Sequence, residues 1–100
     1  MRSDVLMKCN LSLQVIPNVP DDRLYPVVDK VISLIQDSGL RYEVGPMETT
    51  IEGELSQLLA IVEKAQQICL AEGATRVISV VKIDYKANGV TIDEKVSKYR

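Results

Sequence analysis

The chain contains no histidine, no phenylalanine and no tryptophan; its only aromatic side chains are four tyrosines. Each absence removes a class of chemistry. Without imidazole, Ser-His-Asp and Cys-His nucleophilic catalysis are excluded. The two cysteines, Cys9 and Cys69, are far apart and belong to no CxxC pair. They read as buried thiols rather than a disulfide, and a zinc site of thiolates and imidazoles is excluded. The glycines are scattered and form neither GxxxxGK[ST] nor GxGxxG, so no phosphate loop is present. A basic excess is also missing. The net charge of -2 leaves no stripe for a phosphate backbone. No apolar run approaches the ~20 residues of a membrane span. Met1, Arg2, Ser3, Asp4 and Val5 run into polar residues too soon for a signal-peptide core. These observations lead us to expect a cytoplasmic protein with no metal, no cofactor, no nucleic-acid partner and no membrane partner.

What is present reads as one domain over residues 1–100. In residues 8–16, Cys9, Leu11, Leu13 and Val15 alternate with Asn10, Ser12, Gln14 and Ile16, which predicts a strand with one oily and one mostly polar face. After a loop, Leu24, Val27, Val28, Val31, Leu34 and Ile35 recur at helical spacing. Asp21 or Asp22 is a candidate cap, Pro26 is expected in the first turn, and Gly39 marks the stop. Residues 41–44 and 47–52 read as short strands around a Gly45-Pro46 reversal. Leu55, Leu58, Leu59, Ile61, Val62, Ala65, Ile68, Cys69 and Leu70 form a second helical stripe that ends at Gly73. Residues 76–85 are rich in β-branched side chains and predict a long strand. A turn at Ala87, Asn88 and Gly89 precedes a short capped helix that begins at Thr91.

The order β-α-β-β-α-β predicts an α+β, ferredoxin-like fold: a four-stranded antiparallel sheet with both long helices on one face and the first strand between the third and fourth. RNA-recognition domains share this order but need aromatics on the central strands, where this chain has Asn10, Ser12, Val77 and Ser79. The open sheet face carries Asn10, Ser12 and Gln14 of the first strand. On the last strand Ile78, Val80 and Lys82 alternate with Val77, Ser79, Val81 and Ile83, and both sets are apolar. The face is therefore half aliphatic, which suggests that a second copy of the chain covers it or its edge.

The candidate chemistry lies on the polar strand. Thr49, Thr50 and Glu52 supply hydroxyls and a carboxylate suited to a ligand with amino groups or positive charge. Asn10 and Ser12 neighbour that strand in the expected topology. Tyr42 offers a ring for stacking, and Glu43 adds negative charge beside it. The same residues have plainer uses. Threonines are ordinary strand residues, Glu52 can cap the second helix or meet solvent, and Tyr42 can pack at the rim of the core.

Residues 38–53 read SGLRYEVGPMETTIEG. Together with Ile16-Pro17, Ala74-Thr75-Arg76-Val77 and Val81-Lys82-Ile83-Asp84, this segment resembles the small thiamine-binding proteins of the YkoF-like group along nearly the whole chain. The resemblance implies a ferredoxin-like fold, dimers assembled into tetramers, and non-catalytic binding of thiamine or its hydroxymethylpyrimidine moiety. It carries onto Thr49, Thr50 and Glu52, with Tyr42 and Glu43 upstream, and places Asn10 and Ser12 facing the ligand region. Glu48 stands where a small residue, usually glycine, is common. Two readings from other classes stay open: a regulatory module for another small ligand such as an amino acid, and a structural assembly protein with no ligand.

Overall fold

The computed structural model describes residues 7–100; the reading of residues 1–5 as too polar for a signal segment lies outside them. The elements are β1 (Cys9–Pro17), α1 (Asp21–Asp37), β2 (Arg41–Val44), β3 (Thr49–Gly53), α2 (Leu55–Ala71), β4 (Val77–Asp84) and α3 (Ile92–Val96), followed by a 3-10 turn at Ser97–Tyr99. The strands form one antiparallel sheet in the order β2-β3-β1-β4, so the first strand is indeed central. This is the α+β ferredoxin-like architecture. Among the described residues, no helix is long and apolar enough to cross a membrane.

Period-two alternation on β1 builds the core. Cys9, Leu11 and Leu13 are buried with Val27, Val31 and Ile35 of α1, Ile51 of β3, and Leu58, Ile61, Ala65 and Cys69 of α2. Both cysteines are free and buried, and burial pushes both thiols up in pKa. The two long helices therefore share one sheet face. Gly39 (φ 77°) and Gly73 (φ 104°) take the left-handed conformation just past α1 and α2, where a Cβ would be strained.

Two local expectations need correction. α1 begins at Asp21, so Pro26 lies inside the helix rather than in its first turn. Its missing N–H forfeits one backbone bond, and packing of the Val27, Val31 and Ile35 face carries the helix through the gap. Neither aspartate caps the helix: Pro20 is the N-cap, and Asp21 and Asp22 occupy the first turn. There they face the positive end of the helix dipole.

The reversal between β2 and β3 is tight. Gly45 N–H donates to the Glu48 carbonyl at 2.8 Å. A Cβ on Gly45 would sit 2.9 Å from that same oxygen. Gly45→Ala should therefore destabilise the protein by roughly 1–3 kcal/mol, as overpacking does elsewhere. Urea denaturation checks this, and an unchanged midpoint would show that the hairpin yields freely.

Candidate functional site

Strand register sorts every side chain of the sheet onto one of two faces, because residues directly opposite share a face. On the face away from α1 and α2, two polar rows cross all four strands. One row is Arg41, Glu52, Asn10 and Asp84; the next is Glu43, Thr50, Ser12 and Lys82. Beyond them the same face turns apolar, with Gln14 beside Val80 and Ile16 beside Ile78. The open face is thus half polar and half aliphatic.

α3 lies over the polar half. A Thr91–Glu94 capping box starts it, with Glu94 N–H donating to Thr91 Oγ1 at 3.1 Å and Thr91 N–H donating to Glu94 Oε1 at 2.8 Å. The Thr91 N–H holds the Glu94 carboxyl below the usual carboxylate range. Glu52 then fixes the helix to the sheet: its buried carboxylate accepts the Ile92 N–H at 2.6 Å. Three ion pairs tie the strap down further, Arg41–Asp93 at 2.7 Å, Lys95–Asp84 at 2.6 Å and Arg100–Glu43 at 2.7 Å. Arg100, and Arg41 after it, hold the Glu43 carboxyl below its ordinary value.

Between strap and sheet is a cavity of about 290 Å³. Asn10, Ser12 and Thr50 form its floor; Glu43, Glu48, Lys82 and Asp84 line its sides; Ile92, Lys95 and Val96 come from the strap. Every wall carboxylate has a cation. Glu48 pairs with Lys82 at 3.3 Å, Asp84 with Lys95, and Glu43 with Arg41 and Arg100. The floor is different. Asn10 Nδ2 and Oδ1 and Ser12 Oγ are buried without a hydrogen-bond partner among the described residues. Leaving such groups unsatisfied costs about 1–3 kcal/mol each. A fold tolerates that where a ligand or water completes the bonds.

Of the residues named from the sequence, Asn10, Ser12, Thr50 and Glu43 line this cavity together. Glu52 shares their face but spends an oxygen on α3. Thr49 and Tyr42 are on the opposite face, paired with Val44 and Ile51. Thr49 borders a second groove of about 280 Å³ under α1, lined mainly by aliphatic side chains and with none of the unpartnered polar atoms. Sequence reading missed Lys82, Asp84 and Lys95. Alternation along β4 places Lys82 and Asp84 with Val80, and that signal was available. Among the described residues, no cluster of three or more cysteine, aspartate or glutamate side chains is placed to hold a metal ion.

A sequence model of thiamine-binding proteins matches residues 11–100. The chain belongs to the thiamine-binding protein family. Within this family it is 65% identical over 92 residues to a UPF0045 protein of Clostridium perfringens, covering 92% of this chain and 97% of that one. Among solved structures, a Bacillus cereus domain of unknown function is 51% identical with a TM-score of 0.88, covering 98% of this chain and 96% of its own. A Thermotoga maritima structure, proposed to be a thiamine biosynthesis or salvage protein, is 44% identical with a TM-score of 0.86, covering 93% of this chain and 99% of its own. Family membership ties the chain to thiamine; the match takes in β2, β3, β4 and the strap whole and enters β1 at Leu11, one residue past Asn10.

Proposed function

We propose that this protein binds thiamine or its hydroxymethylpyrimidine moiety without transforming it, as an oligomeric cytoplasmic carrier or sensor built on residues 1–100 as a single domain. The observation that carries this reading is the unpartnered carboxamide of Asn10 beside the unpartnered hydroxyl of Ser12. A carboxamide presents a donor and an acceptor side by side. An aminopyrimidine presents the complement, an amino group next to a ring nitrogen, in the way that adenine meets asparagine. Ser12 and Thr50 hydroxyls can serve the remaining ring nitrogen. The paired wall carboxylates suit a neutral ring directly; a thiazolium cation would compete with Lys82 for Glu48. The non-catalytic part of the reading is supported by the lack of histidine, which removes the imidazole base of Ser-His-Asp and Cys-His catalysis.

A few net hydrogen bonds of ~0.5–1.5 kcal/mol each, less the entropy of association, correspond to micromolar binding at best. Titration calorimetry with thiamine and then hydroxymethylpyrimidine is expected to show saturable micromolar binding. Thr50→Val should weaken it about tenfold, the loss of one hydrogen bond. No heat from either compound at millimolar concentration would overturn the reading, and a panel of amino acids would then test the regulatory alternative. The oligomeric part is supported by the aliphatic half of the open face, where Ile16, Ile78 and Val80 stand 45%, 54% and 44% exposed.

A further inference from the structure

Asn10 Nδ2 and Oδ1 and Ser12 Oγ are sealed from solvent, so no ligand reaches them until something moves. The floor cannot move easily. β1 is an interior strand, paired with β3 from Cys9 to Leu13 and with β4 from Asn10 to Pro17, so Asn10 and Ser12 lie where it is held on both sides. Opposite the floor, the C-terminal strap brings Ile92, Lys95 and Val96 to the cavity, and the Glu48–Lys82 pair flanks it.

The two ends of this strap are held by different forces. At its start, Val90 N–H donates to the Lys8 carbonyl at 3.0 Å, and Ile92 N–H donates to Glu52 at 2.6 Å. Val90 and Ile92 are both buried. Just before them, Asn88 and Gly89 have positive φ and make a tight turn closed by Gly89 N–H on the Lys86 carbonyl. The remainder of the strap is tied by charge. Asp93, Lys95 and Arg100 are each exposed partners of the sheet residues Arg41, Asp84 and Glu43. Exposed ion pairs hold little and are screened by salt. A segment buried and hydrogen-bonded at one end, and held by exposed charge at the other, can pivot.

We infer that residues 91–100 form a lid that pivots at the Glu52–Ile92 contact and must lift for a ligand to reach Asn10 and Ser12. In this arrangement Glu52 is a positioning residue: it sets affinity through the lid and not by touching the ligand. The inference rests on the reading of this cavity as the ligand site, but the motion itself is measurable without ligand.

The experiment is hydrogen exchange on the full chain, followed by stopped-flow binding of hydroxymethylpyrimidine. The strap amides 94–99 should exchange at least about tenfold faster than those of β1, by local opening. Asp93→Ala combined with Arg100→Ala, or added salt, should speed the strap further while β1 and α2 stay protected. The same double variant should bind hydroxymethylpyrimidine with a faster association rate. Glu52→Ala should loosen the strap and weaken binding, and Glu52→Gln, which keeps a carbonyl acceptor for Ile92, should restore much of both. A strap that exchanges only with global unfolding overturns the lid. So does an association rate that the double variant leaves unchanged. Weak binding by Glu52→Gln with a fully protected strap would place Glu52 on the ligand and overturn its positioning role. Local opening of the strap without binding of either compound by any variant would support the motion and overturn the ligand reading alone.

Discussion

Asn10→Leu is expected to yield a protein that melts higher than the wild type and binds neither thiamine nor hydroxymethylpyrimidine. The two effects have one cause. Both polar atoms of the Asn10 side chain are buried without partners, in a residue only 3% exposed. Removing an unsatisfied buried donor or acceptor relieves about 1–3 kcal/mol. For a domain of this size, each kcal/mol moves the melting temperature by roughly 4–8 °C. Leucine is close in length and branching, and Ile92 and Val96 of the strap line the same cavity. Its cross-strand neighbours Glu52 and Asp84 already have partners of their own, the Ile92 N–H and Lys95. The loss of binding follows because leucine offers an aminopyrimidine nothing to pair with. Ser12→Ala should show the same pair of effects at smaller size. Thermal melts and titration calorimetry on the same samples check both. A lower melting temperature for Asn10→Leu would mean that ordered water already satisfies the amide, and the floor would then be structural.

That trade of stability for unmet polar groups explains which parts of the protein are legible in its sequence. The core announces itself locally. Cys9, Leu11 and Leu13 alternate, and Val27, Val31 and Ile35 repeat at helical spacing, so pattern and burial agree. The helix stops are equally plain, since Gly39 and Gly73 occupy conformations that glycine takes without strain. Pairing β1 with β3 followed from the order of elements, and it brings Asn10 and Ser12 beside Glu52 and Thr50. Two things were not local. The polar strand carries Thr49 and Thr50 side by side, and alternation must send them to opposite faces; only the register says that Thr50 meets the cavity. The role of Glu52 depends on a contact forty positions away, the N–H of Ile92. A capped helical start at Thr91 is visible in the sequence, but the face on which that helix lands is decided by tertiary packing, and with it the roof of the site.

Ile78→Lys is expected to convert an oligomer into a folded monomer. The residue stands on the aliphatic half of the open face, opposite Ile16 and two positions from Val80. It is 54% exposed in the isolated chain and contributes nothing to the buried core, so the fold should survive the change. Among the described residues β4 is also an edge strand of eight residues whose outer side has no neighbour in the sheet, which native proteins seldom leave bare. Interfaces between identical chains are usually two-fold, so one substitution acts twice. Ile78 has only about half of its surface left to bury, so losing two such burials weakens association by roughly 1.5–3 kcal/mol, about one to two decades in Kd. Sedimentation velocity at micromolar concentration reads the outcome directly. A wild type that is already monomeric sinks the second-copy reading, and an Ile78→Lys protein that assembles normally moves the interface elsewhere. The monomer would also locate the site. Both polar rows and the strap belong to one chain, so binding of hydroxymethylpyrimidine by the monomeric variant would assign the cavity to a single subunit. Binding lost along with assembly, while the strap stayed protected, would mean that the second copy completes it.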